Sequence, residues 1–132
     1  MTVVNSIELA RALADLFQRI VPEGFHVWED DGMLWYSADS AVSGYGGGMS
    51  GSYIAENLGN GETMEERIRW CAEHALDELQ DFVDERSAQP WPGDRAVPRA
   101  HAIVVGTMLH LGFGDADAPI LECEPIDLTL LD

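Results

Sequence analysis

Lysine is absent from this chain, and seven arginines stand against 24 aspartates and glutamates, which leaves a formal net charge of −17. Binding to nucleic-acid phosphate draws on Lys and Arg, and a field of this sign repels phosphate and anionic lipid alike. No DNA, RNA or membrane partner is therefore expected. A P-loop is excluded as well, because its phosphate-holding lysine is missing. The only two cysteines, Cys71 and Cys123, form no disulfide framework, and in apolar settings a free thiol acts as a small core hydrophobe. No apolar run approaches the roughly 18 residues of a membrane span. The opening residues MTVVNSIELARAL lack the basic start, apolar run and cleavage site of a secretory signal, so a cytoplasmic location is expected.

The same charge says what the chain can attract. A strongly negative field draws in a basic partner and speeds its association at low salt. A bland reading stands beside this one: salt adaptation, or a GC-rich coding bias that favours arginine over lysine. With 132 residues, 46% of them apolar, and four tryptophans, the chain has the material for one folded domain spanning residues 1–132.

The most regular stretch is 63–86, TMEERIRWCAEHALDELQDFVDER. Met64, Ile68, Cys71, Ala72, Ala75, Leu76, Leu79, Phe82 and Val83 recur at helical spacing and form one stripe. Thr63 with Glu66 makes a capping box at its start. Opposite the stripe lie Glu66, Glu73, Asp77, Asp81 and Asp84, with Trp70 among them. An acidic helix face is ordinarily a solvated face. An indole placed there calls for cover, from the chain itself or from a partner.

Residues 5–21 read as a first helix with Leu9, Leu13, Leu16, Phe17 and Ile20 on one side, Asn5 and Glu8 as a capping pair, and Pro22 and Gly24 ending it. Residues 25–38 then form a hairpin around Asp31-Gly32, a type I′ turn signal. A two-residue loop sets Trp28 opposite Trp35 and Val27 opposite Tyr36. One face then carries Phe25, Val27, Leu34 and Tyr36, and the other carries His26, Trp28, Asp30, Met33 and Trp35. The second face is more apolar than a solvated sheet face normally is, so it is either covered or used for recognition. Gly46, Gly48 and Gly51 match G-x-G-x-x-G only formally, since no βαβ context follows. The run reads as a flexible loop, with a short strand within 49–58.

In 87–98, Pro90-Trp91-Pro92-Gly93 reads as a rigid loop that Trp91 pins to the core. Residues 101–113 form a second hairpin turning at Gly106-Thr107, with Ile103 opposite His110 and Ala102 opposite Leu111. The helix–hairpin order occurs twice, a hint of duplication. Asp115 to Pro119 is a turn, and Pro125 confines the last strand, 120–131, to an edge or bulge. The expected fold is α+β, order α-β-β-(β)-α-β-β-β: a single antiparallel sheet of about five strands with two helices on one face.

Chemistry is sparse. Cys71, His74 and Cys123 as metal ligands, Asp115 and Asp117 as a calcium turn, and His26, His101 and His110 converging on the Trp28–Trp35 face are each weaker readings than ordinary core, surface and strand residues. No serine sits in a G-x-S-x-G elbow. No cofactor and no metal are expected. The element order and acidity resemble small bacterial secretion-chaperone domains, and immunity or inhibitor proteins that neutralise basic toxins. That resemblance is one of architecture over the whole chain and carries no residue roles. The opposed Trp28 and Trp35, Trp70 on its acidic face and the net charge of −17 point to a non-catalytic, acidic protein-interaction domain for a basic or partly unfolded protein, binding through Trp28, Trp35, Trp70, Glu73, Asp77 and Asp81 as aromatic anchors with an acidic rim. Two other readings are a small-molecule-binding protein or enzyme with a pocket between the Trp28/Trp35 face and the Gly44–Gly51 loop, and a structural homodimer.

Overall fold

The computed structural model describes residues 4–39, 48–54, 58–59, 61–87, 91–92, 98–115 and 118–131. Helix α1, Ser6–Ile20, starts at its cap: the Asn5 side chain accepts the N–H groups of Ile7 (2.9 Å) and Glu8 (3.2 Å), donors the first turn would leave unpaired. The Asn5 N–H is already taken by the Leu131 carbonyl at 2.8 Å, so the Glu8 carboxylate turns to Arg11 at 2.9 Å instead of completing a capping pair.

Strands β1, Phe25–Asp30, and β2, Met33–Ala38, form the expected hairpin. Asp31 (φ +54°) and Gly32 (φ +78°) both adopt the left-handed conformation of a type I′ turn. The register follows, with Trp28 opposite Trp35 and Val27 opposite Tyr36. Strand β3, Gly48–Tyr53, adds to β2 with Gly51 opposite Trp35. Helix α2, Met64–Ser87, begins at its capping box: Thr63 Oγ1 accepts the Glu66 N–H (3.1 Å), and the Glu66 carboxylate accepts those of Glu62 (3.0 Å) and Thr63 (3.4 Å).

Strands β4, Ala100–Val105, and β5, Met108–Asp115, pair with Ile103 opposite His110 and Ala102 opposite Leu111. Beyond them, β6, Ala118–Glu122, and β7, Ile126–Asp127, both pair with β5. The expected last strand is thus broken in two around Pro125, which has no N–H to give a ladder. A 3-10 turn, Leu128–Leu130, follows. Of the expected rigid loop at 90–93, Pro90 and Gly93 lie outside the described residues, while Trp91 is held to the core. Its ring meets Phe113 at 5.2 Å, and its N–H is held by Asp84 at 2.7 Å.

These strands make two antiparallel sheets, β1-β2-β3 and a four-stranded sheet of β4, β5, β6 and β7, and not the single sheet of about five strands. The cause lies in α2. Its buried positions include Ile68, Cys71, Ala75, Leu76, Leu79 and Gln80; at about 100° per residue they cover about half the helix, more than one sheet surface can meet. Phe82 packs on Phe25 and Tyr36 of the first sheet, with ring centroids 6.1 Å apart in both pairs. Glu73 meets Ala102 of the second. One contiguous core results, joining Leu9, Phe17, Leu34 and Tyr36 to Leu79, Leu109, Leu111 and Phe113. Among the described residues no helix is long and apolar enough to cross a membrane.

Candidate functional site

The first sheet sorts its residues as its alternation dictates. Phe25, Val27, Leu34 and Tyr36 are buried inside. Glu29, near the turn, accepts the Gly32 N–H and the Arg11 guanidinium, each at 3.0 Å. The Gly32 amide and then Arg11 hold its carboxyl below the usual range, against the opposing pull of burial.

The outer face is apolar. Trp28 is 38% exposed beside Trp35, whose ring lies over Gly51 so closely that a Cβ there would come within 3.2 Å of it. Met33 pairs with Tyr53, 57% exposed, and Ser37 with Met49, 61% exposed. Tyr53 and Met49 therefore enlarge the Trp28–Trp35 face, and sequence reasoning did not name them. Their signal is the alternation Met49-Gly51-Tyr53, which acquires meaning only once this glycine-rich stretch is known to be a strand. The Gly48–Gly51 part of the run belongs to β3, while residues 44–47 of the Gly44–Gly51 loop lie outside the described residues.

On α2, Trp70 is 37% exposed and stacks on His74, centroids 4.7 Å apart. His74 Nε2 lies 2.9 Å from the Glu78 carboxylate. Glu78 hydrogen-bonds Ser52, whose hydroxyl meets the Tyr36 hydroxyl, and Tyr36 donates to the Ala75 carbonyl at 3.3 Å. Burial raises the Glu78 carboxyl above its ordinary range, though His74 and Ser52 favour the ionised form. Burial also keeps the Tyr36 phenol protonated. A polar chain thus runs from an exposed indole into the core. Glu78 and His74 were missed as a pair, although they stand four residues apart on one helix face.

Glu73 points to the second sheet, where its carboxylate accepts the Ala102 N–H at 3.2 Å and pairs with Arg69 at 3.4 Å. Asp77 and Asp81 are exposed. The Asp77 carboxyl is raised by burial and then by the like charges of Glu73 and Asp81. The structure therefore brings Trp70, Glu73, Asp77 and Asp81 together on α2, but not with Trp28 and Trp35. α2 packs on the inner residues Phe25 and Tyr36, and Trp28 and Trp35 face the other way. Among the described residues these side chains fall on two surfaces and do not form a single acidic ring around the tryptophans.

The histidines do not converge. His26 pairs with Asp39 (3.1 Å) on the first sheet, while His101 and His110 belong to the second, where His101 lies over Gly112. Cys71 and Cys123 are free and buried, and burial pushes their thiols up to about 12 and about 11. Among the described residues no group of three His, Cys, Asp or Glu is placed to hold a metal. The Asp117 half of the calcium-turn reading lies outside them. Exposed Ile103, Val105 and Ile120 add an apolar outer face to the second sheet. Comparison with protein-family models, curated proteins and solved structures finds no match to this chain.

Proposed function

We propose that this protein is a non-catalytic interaction domain that engages a basic or partly unfolded protein partner. One observation carries the reading: Trp28, Trp35, Met33, Met49 and Tyr53 share one sheet face, on which Trp28, Met49 and Tyr53 are exposed and Met33 and Trp35 half-buried. Contiguous exposed apolar surface of this kind is rare on a protein that has nothing to bind, and aromatic and methionine side chains are those on which interfaces concentrate energy. The net charge of −17 supplies the preference for a basic chain. The polar groups that do cluster suit a structural role, since Tyr36 and Ser52 are shut away from solvent.

A reduced, alkylated basic protein, permanently unfolded, tests this against an acidic counterpart of similar size. The basic chain should bind the immobilised domain at low salt and weaken as salt rises. Trp28→Ala combined with Tyr53→Ala should reduce binding by about tenfold or more while the melting curve stays in place. Equal binding of both unfolded chains, or none of either, would refute the reading.

A further inference from the structure

The two hairpins solve the problem of their open edges differently. In β1 the Asp39 N–H bonds the Gly24 carbonyl at 2.8 Å. Alternation then turns the backbone groups of Phe25 and Val27 outward. There the Gln18 amide of α1 meets both, accepting the Val27 N–H at 2.7 Å and donating to the Phe25 carbonyl at 3.2 Å. In β4 the Gly114 N–H bonds the Arg99 carbonyl at 3.0 Å, so Ala100, Ala102 and Val104 point theirs outward. Ala102 stands at the same distance before its turn as Val27 does before its own. Its N–H is held by the Glu73 carboxylate, a group with no proton to offer a carbonyl. Among the described residues no other side chain meets the outward groups of β4. A groove of about 410 Å³ runs along this edge, lined by Glu73, Arg99, Ala100, His101, Ala102, Ile103 and Gly114, so that one carboxylate and one guanidinium share its walls.

We propose that the outer edge of β4 accepts an added β-strand from the partner, an extended segment carrying basic side chains, with Glu73 as a displaceable latch. This goes beyond the function proposed above, adding a contact on the second sheet for the same basic partner, and rests on that reading. An unpaired edge is a template for another strand. β4 offers three residues with both an N–H and a C=O, and exposed Ile103 and Val105 beside them receive alternate side chains of the guest. The charge pattern selects the guest. Glu73, Asp77 and Asp81 recur four residues apart along α2, and burial first and then the charges of Glu73 and Asp81 raise the Asp77 carboxyl, against the opposing pull of His74 and Arg99. An arginine or lysine on an incoming strand takes the Glu73 carboxylate from Arg69 and the Ala102 amide, freeing the edge as it docks. A second copy of this chain is disfavoured there, because it would bring the same carboxylates against these. At β1 the neutral, two-handed Gln18 leaves nothing to displace.

The probe is a ten-residue peptide of alternating arginine and valine, with a version N-methylated at every residue that keeps the charge and loses the donors. The plain peptide should bind the intact protein in a salt-dependent way and slow hydrogen exchange at the Ala102 and Val104 amides. N-methylation should weaken it about tenfold or more, and so should Val104→Pro, which removes an outward donor and no ladder bond. If that variant does not fold, the methylated peptide on the unaltered protein carries the comparison alone. Equal binding of both peptides, with β4 amides unprotected, overturns the edge site and leaves the basic-partner reading standing. No binding of either peptide overturns both. A peptide-free dimer with the Val104 amide already protected overturns the edge site in favour of self-pairing.

Discussion

Replacing Tyr36 by phenylalanine removes one oxygen from the middle of the core, and the structure sets the size of the effect. The hydroxyl bonds the Ala75 carbonyl of α2 and the Ser52 hydroxyl of β3, and the side chain is 1% exposed. Neither partner is orphaned by the change. The Ala75 carbonyl stands in the middle of a helix, and Ser52 keeps Glu78. The loss is therefore two net hydrogen bonds at about 1 kcal/mol each, about 2 kcal/mol in all, without the larger penalty for an unpaired buried group. For 132 residues, about 2.1 cal/mol/K per residue gives an unfolding entropy of about 0.28 kcal/mol/K, so Tm should fall by about 7 °C. Urea unfolding should show the same 2 kcal/mol with an unchanged slope. Ser52→Ala combined with Tyr36→Phe should cost less than the two changes summed, because they share a bond. A fall in Tm under about 2 °C, or strict additivity, would mean that the two hydroxyls do not tie the first sheet to α2.

Glu78 and the cysteines yield two further expectations. Glu78 has a folded pKa raised above its unfolded value, chiefly by burial, and Asp77 and Asp84 shift in the same direction. Stability from such groups is full below the unfolded carboxylate range and is lost as pH rises through the raised values. Between about pH 4 and pH 7, the urea midpoint of Glu78→Gln should therefore decline less steeply than that of the unaltered protein; parallel curves would contradict the assignment. Cys71 and Cys123, buried with thiols raised to about 12 and about 11, should be inert to a disulfide reagent in the native state and react with two equivalents once unfolded. Prompt reaction of one thiol would show that its surroundings open locally.

Where local rules suffice, the sequence was legible. The Asn5 cap, the Thr63–Glu66 box, the type I′ turn at Asp31-Gly32 and the register of both hairpins involve groups within a few residues of one another. Periodicity likewise marked the buried stripe of α2, and alternation marked the inner face of the first hairpin. In β4 alternation was silent, because Ala100, Ala102 and Val104 are as apolar as Ile103 and Val105, and only packing decides which set turns inward. The acidic face was legible as a list of carboxylates. That Glu73 holds the Ala102 amide was not, since the two residues are far apart in the chain and meet only when α2 settles against β4.

By itself, then, the sequence determined the helices, the two hairpins with their pairing, and a net charge of −17. The tertiary structure alone decided that the strands divide into two sheets and that Trp28 and Trp35 lie on the far side of the first sheet from Trp70. It alone closes one hairpin edge with Gln18 and leaves the other under Glu73. Local elements follow from contacts a few residues apart, whose entropy of closure is small. The sheet division and the edges follow from how widely α2 buries its circumference, a property of the assembled core.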